Sequence, residues 1–138
     1  MRTWCCPVAS DGDELLDSNI LIYASQPGNE FLDVWLTAED AAISAISIVE
    51  VLGFSGLTSA DEATFDATFA RVRVEQVTET ILRRAAALRR GRRMKLGDSI
   101  IAATALETGA KLVTRNVDDF RHIAGLEISN PFASPGES

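Results

Sequence analysis

Five carboxylates are notable for where they fall in this chain of 138 residues. Asp17 sits inside LLDSNILIYA (residues 15–24), where Leu15, Leu16, Ile20, Leu21 and Ile22 surround it with almost no polar relief. A carboxylate in so apolar a run is costly to bury unless something pairs with it. Glu50 follows AAISAIS by a few residues, Asp98 stands in KLGDSIIAATAL, and Asp118 and Asp119 come just after KLVTRN. Carboxylates that converge repel one another and are tolerated mainly when they hold a hard cation through oxygen ligands. The chemistry implied is a Mg²⁺ or Mn²⁺ site.

Each acid also has a purely structural reading. Glu50 completes Ser47-Ile48-Val49-Glu50, a capping-box pattern. Asp98 fits a helix N-cap, and Asp118 or Asp119 can open a short helix where negative charge is favoured. Asp17 is the hardest to account for in this way. No side-chain nucleophile is evident: there is no G-x-S-x-G, and the lone histidine, His122, falls on a short helical pattern that reads as surface or packing.

Convergence depends on the elements that carry these residues, and short apolar runs alternate with helical patterns from about Glu14 onward. Leu15 and Leu16 form a brief strand running into Asp17. NEFLDVWLTAED has Phe31, Leu32, Trp35 and Leu36 at helical spacing behind Asn29 as N-cap. AAISAIS reads as a buried strand turning into the helix IVEVLGF. SADEATFDATFA offers Ser59 as N-cap, with Phe65 and Phe69 four apart. VRVEQV alternates like a strand, and TETILRRAAALRRG follows as a helix closed by Gly91. DSIIAATALETG is a helix from Asp98 at its cap to Gly109 beyond its end; KLVT is a strand, VDDFRHIAG a short helix and LEIS a last strand. Such alternation implies an α/β domain, a largely parallel sheet covered by helices on both faces, with its ligand site beyond the carboxyl ends of the strands. The five acids lie near such ends.

Composition narrows the class. Hydrophobic residues are 46% and charged residues 24%, as in soluble globular proteins. No apolar stretch approaches the ~18 residues of a membrane span. Cys5 and Cys6 are adjacent and are the only cysteines, which argues against a disulfide framework and favours a reducing, cytoplasmic location. Residues 1–13 read as a flexible extension that is no signal peptide, residues 14–131 as the domain, and residues 132–138 as a tail. The net charge of −7 opposes general attraction to nucleic acid, but it is unevenly spread. RRAAALRRGRRMK (residues 83–95) holds six arginines and Lys95 out of 13 basic residues. Ile81, Ala85 and Leu88 share one helical face and Arg83 and Arg90 the opposite one. The stretch reads either as a solvated face or, because it leads into Asp98, as a grip on phosphates by Arg83, Arg84, Arg89 and Arg90.

LLDSNILIYA, SIVEVLGF, KLGDSIIAATAL and LVTRNVDDF followed by NP resemble, in order and spacing, the four motif blocks of PIN-domain ribonucleases. The resemblance runs from about Leu15 to Pro131 and is nearest to the toxin half of bacterial VapBC-type toxin–antitoxin pairs. It implies a three-layer α/β/α PIN-like domain around a central, mainly parallel sheet of about five short strands. It also implies a Mg²⁺-dependent endoribonuclease, with Mn²⁺ as a substitute, that cleaves RNA by metal-activated water. Asp17, Glu50, Asp98 and Asp119 would be the metal-binding catalytic acids. Asp119 is selected over Asp118 because the family's acid directly precedes the phenylalanine. Asn19, Thr114 and Asn116 match supporting polar positions. Gly97 departs from the pattern, since relatives often carry proline there. The resemblance further implies a small antitoxin partner lying across the active-site groove and a homodimer; the absence of a long apolar stretch leaves no membrane partner expected. Phe31, Trp35, Phe54, Phe65 and Phe69 would supply the core and possible groove surface.

The main alternative is a non-catalytic binding module, receiver-like or PIN-like. A receiver needs an acidic pair after the first strand and an aspartate after the second; this chain offers Asp17 with Asn19, and SAISIVE has no aspartate. Asn19 likewise breaks the Asp-x-Asp of haloacid-dehalogenase-type phosphatases. A silent PIN-like domain would normally lack one of the acids, and none is missing.

Overall fold

The computed structural model describes residues 13–133. The sequence expectations for Cys5, Cys6 and residues 134–138 fall outside that range. Five strands run β1 (Glu14–Leu16), β2 (Ala41–Ser44), β3 (Arg73–Glu75), β4 (Lys111–Val113) and β5 (Ile128–Ser129). They pair in the order β3-β2-β1-β4-β5, and every pairing is parallel. Six helices connect them: α1 (Ser18–Ala24), α2 (Asp33–Leu36), α3 (Ile46–Leu52), α4 (Ser59–Arg71), α5 (Glu79–Gly91) and α6 (Leu96–Thr108).

The central strands β1, β2 and β4 are buried on both faces, which is why they read as short apolar runs, whereas the edge strands β3 and β5 are half-buried. Successive residues point to opposite sides. Leu16, Ile43 and Val113 join Ile20, Leu21, Leu36, Val51 and Phe65 on one face. Leu15, Ala42 and Leu112 meet Ile101, Ala102, Ala105 and Phe120 on the other. Helix α6 is buried at seven consecutive positions, Ser99 to Ala105, because the sheet lies on one side and α5 on the other. Its small side chains allow that double contact. The amphipathic α5 contributes Ile81 and Ala85 and leaves its arginines outside. Gly109, at φ +74°, ends α6 in the left-handed conformation, and the Ala110 N–H reaches back to the Ala105 carbonyl.

Several local expectations are corrected. The NEFLDVWL pattern splits into a 3₁₀ turn, Glu30–Leu32, and the single turn of α2. Asn29 does not cap it; its amide donates to the Tyr23 carbonyl at 2.9 Å. The N-cap of α4 is Thr58 rather than Ser59, in a capping box with Asp61. Gly91 is the last residue of α5, not its stop. Only Val117–Asp119 of VDDFRHIAG is helical, as a 3₁₀ turn, so His122 lies in the turn beyond it. The Asp13 carbonyl accepts the Lys111 N–H at 3.1 Å, and the Phe132 ring packs edge-on against Tyr23 and Phe31.

Candidate active site

The strand order fixes where a site can form. The chain winds outward through β1, β2 and β3, then returns to place β4 on the other side of β1. A parallel sheet opens a crevice at such a reversal, beyond the carboxyl ends of the two strands. Asp17 follows β1 directly and is 3% exposed; Thr114 follows β4 directly and is fully buried. The Thr114 hydroxyl donates to Asp17 Oδ2 at 2.8 Å, and the Asn116 backbone N–H donates to Thr114 Oγ1 at 3.0 Å.

That chain of donors is not enough to keep Asp17 an ordinary acid. Burial, reinforced by the charges of Asp98 and Glu50, raises its pKa to about 6 against the opposing bonds from Thr114 and the Ser18 backbone. Asp98 is raised in the same direction, first by burial, then by the charges of Asp119 and Glu50, with Lys95 pulling the other way. Asp98 thus feels Glu50 and Asp119, and Asp17 feels Asp98 and Glu50, which links the four acids through Asp98. Asp118 is set apart: it is exposed and pairs with Arg121 at 2.6 Å.

Neither structural reading of the helix acids holds. The chain enters α3 at Ile46, because Ser44 Oγ accepts the Ile46 N–H at 3.2 Å, and no side chain caps that helix at its N-cap residue, Ala45. Ser47 and Glu50 thus lie inside α3 and form no capping box. Helix α6 begins at Leu96, with Lys95 at its N-cap position, so Asp98 sits in the first turn with its carboxylate free of capping.

Two serines hold Glu50: Ser18, which the sequence did not single out, and Ser47, which it singled out only as a cap. Ser18 Oγ, buried, lies 2.6 Å from Glu50 Oε1 and 2.7 Å from Ser47 Oγ, also buried. An ionised carboxylate only accepts, so the Ser18 proton goes to Glu50 and the proton between the serines belongs to Ser47. Serine next to an acid is too common a pair to have flagged this arrangement. Gly97 completes it: a β-carbon there would lie 2.8 Å from Glu50 Cδ and closer still to Oε2.

Beside the acids runs a cleft of about 470 Å³ whose lining brings Arg89, Arg92, Arg93 and Lys95 together with Asp98, Asp118, Asp119 and His122. His122 lines the cleft rather than lying on the surface, and its Nδ1 is buried without a hydrogen-bond partner among the described residues. Arg83 and Arg84 are not in the cleft. They pair with Glu79 and Glu107 along the exposed side of α5, and Arg90 is exposed without lining the cleft. Asn19 is exposed at the start of α1.

The donor set suits a hard divalent cation: four carboxylates, no sulfur, and a mutual repulsion that a cation would relieve. Among the described residues no three His, Cys, Asp or Glu side chains close into a compact ligand group. Mg²⁺ does not require one, since it keeps several waters and takes one or two carboxylates with substrate phosphate oxygens.

A family model described as PIN domain matches residues 15–126. The chain belongs to the PIN-domain family. Ribonuclease VapC10 of Mycobacterium tuberculosis is 37% identical over 131 residues, covering 88% of this chain and 95% of that protein. A chain of a toxin–antitoxin complex from Klebsiella pneumoniae matches with TM-score 0.71 and 31% identity over 88% of this chain and 100% of that one. VapBC2 from Rickettsia felis, bound to a DNA fragment from its promoter, gives 0.71 at 25% identity over 85% and 97%. No helix among the described residues is long and apolar enough to cross a membrane.

Proposed function

We propose that this PIN domain is a divalent-metal-dependent endoribonuclease acting as the toxin of a toxin–antitoxin pair. The observation that carries the reading is the gathering of Asp17, Glu50, Asp98 and Asp119 at the sheet's reversal point, with Asp98 and Asp119 lining a cleft that also holds three arginines. When bound, Mg²⁺ or Mn²⁺ supplies Lewis acidity to the phosphate and lowers the pKa of a bound water. Asp17 and Asp98 are the principal ligands, with Glu50 and Asp119 completing the set. Thr114 fixes the Asp17 carboxylate, and Ser18, backed by Ser47, fixes that of Glu50. Arg89, Arg92 and Arg93 hold the RNA phosphates, replacing the set of Arg83, Arg84, Arg89 and Arg90 expected from sequence. Asn116 contributes its backbone N–H to the Thr114 bond.

The relatives found as toxin–antitoxin complexes support an antitoxin as partner. A homodimer in the cytoplasm is part of the same proposal and rests on the family resemblance of the motifs alone. Phe31 and Phe54, both nearly half exposed, are available apolar surface for such contacts. The purified chain is expected to cleave single-stranded RNA with Mg²⁺ or Mn²⁺ and to stop in EDTA. RNA binding without cleavage under any divalent cation would favour the non-catalytic module instead, and undiminished cleavage in chelator would remove the metal from the mechanism.

A further inference from the structure

A second polar cleft, about 460 Å³, lies on the other side of the Asp118–Asp119 turn and is lined by Arg115, Asn116, Arg121 and Asn130 together with those two aspartates. Both aspartates also line the arginine cleft beside α6, so the two clefts adjoin at the Asp118–Asp119 turn, where Asp119 is one of the four acids.

Arg115 is the distinctive residue. Its guanidinium lies 4.2 Å from the centroid of the Phe132 ring and 5.0 Å from that of Tyr23. Phe132 is itself braced edge-on by Tyr23 at 5.3 Å and by Phe31 at 5.1 Å. Arg73, Arg83, Arg84 and Arg121 all have carboxylate partners. Arg115 has none among the described residues and remains exposed. The guanidinium carbon lies over two aromatic rings, its N–H donors have no hydrogen-bond partner among the described residues, and its planar fork matches a phosphate bidentately. Pinning the side chain in advance lowers the entropy lost on binding.

The carboxamides are set in the same manner. Asn130 Oδ1 accepts the Phe132 N–H at 2.9 Å, which fixes the side chain and leaves its NH₂ for another partner. Asn116 is tied through its backbone to Thr114 and so to Asp17, while its own carboxamide makes no hydrogen bond among the described residues. A carboxamide offers both donors and an acceptor, the complement of an unpaired base edge. Arg121 neutralises Asp118, the acid that would otherwise repel a strand entering here.

We infer that this cleft is a second nucleotide subsite. A single RNA strand crosses the four acids, with one flank held by Arg89, Arg92 and Arg93 and the other by Arg115, where Asn116 and Asn130 read a base next to the scissile phosphate. The inference rests on the ribonuclease reading above.

The test uses the full chain carrying Asp98→Asn, so that RNA binds uncut, and mixed-sequence oligoribonucleotides of about four and about eight nucleotides. Adding Arg115→Gln is expected to lower affinity for the longer oligonucleotide several-fold and to reduce the slope of log affinity against log salt by roughly 0.7, one phosphate contact. It should also abolish most of the gain in affinity from the shorter to the longer oligonucleotide. Arg115→Lys, which keeps the charge but loses the planar fork, should lose affinity with an unchanged salt slope, and it serves if the glutamine variant does not fold. In the active enzyme, Asn116→Ala should redistribute cleavage positions mapped by sequencing. If RNA binds but Arg115→Gln leaves affinity, salt slope and length dependence unchanged, the subsite is wrong and the nuclease reading stands. If no RNA binds with Arg115 intact, both fall.

Discussion

At the scale of single residues, one side chain can satisfy two patterns at once, and only its neighbours decide between them. Ser47-Ile48-Val49-Glu50 meets the sequence criterion for a capping box, yet the helix starts earlier because Ser44 accepts the Ile46 N–H. Ser47 is thereby released to support Ser18, and Ser18 to orient Glu50. The acids were legible because carboxylates in apolar or strand-end positions are costly and therefore conspicuous. Ser18 was not, because a buried hydroxyl has no signature until its partner is known. Glu50→Gln separates the two roles: as a cap glutamine would serve nearly as well, whereas as a ligand it should cost at least tenfold in RNA cleavage. Ser18→Ala should give a smaller loss, with Ser18→Thr recovering part of it, and should raise the Mn²⁺ concentration needed for half-maximal activity. Unchanged cleavage and Mn²⁺ dependence in both Glu50→Gln and Ser18→Ala would remove Glu50 from the ligand set.

Among the elements, the alternation of strand and helix was readable, because buried parallel strands are short apolar runs and the helices that cover them are amphipathic. The order β3-β2-β1-β4-β5 was not, since alternation alone does not say on which side of β1 the chain returns. Nor was the orientation of the basic stretch. Arg83 and Arg89 differ by six positions on or near one helix, and only the packing of α5 on α6 shows that the second faces the acids while the first pairs with Glu79. Two predictions belong here. Replacing Arg89, Arg92 and Arg93 with glutamine should weaken RNA binding and cut the salt slope by roughly 0.7 per lost contact, while Arg83→Gln with Arg84→Gln should change neither. The reverse result would place the phosphate grip on the exposed side of α5. Gly97→Ala puts a better helix former in the first turn of α6, a gain of up to about 1 kcal/mol, while its β-carbon displaces the Glu50 carboxylate. Thermal stability should hold or rise as RNA cleavage falls about tenfold; full activity would show that Glu50 is not needed where it lies.

Over the whole molecule, the net charge of −7 suggested a poor partner for RNA, because composition cannot show that acids and arginines are sorted to adjoining surfaces. Crowding the acids leaves a mark on stability. Asp17 is raised from 3.8 to about 6 in the folded protein, first by burial, and Asp98 is raised with it. An acid whose pKa is higher when folded binds its proton more tightly in the native state, so its contribution to stability is fully present below about pH 4 and is lost as pH rises through 6. For Asp17 alone this loss is on the order of 3 kcal/mol. In EDTA, the melting temperature should therefore carry a component that falls by roughly 10 °C between pH 4 and pH 7.5. Asp17→Asn, which removes the titrating charge, should flatten that component and melt higher than the native sequence at pH 7.5. Mn²⁺ at about a hundred times its dissociation constant should restore roughly 2.7 kcal/mol to the native sequence at pH 7.5. Near pH 5, where protons compete for the same oxygens, the rise should be much smaller, and in Asp17→Asn it should be small at both pH values. Melting curves at the two pH values, with and without Mn²⁺, decide the matter. If Asp17→Asn keeps the native pH slope and the native response to Mn²⁺, the cost of the buried charge and its relief by a cation are both refuted.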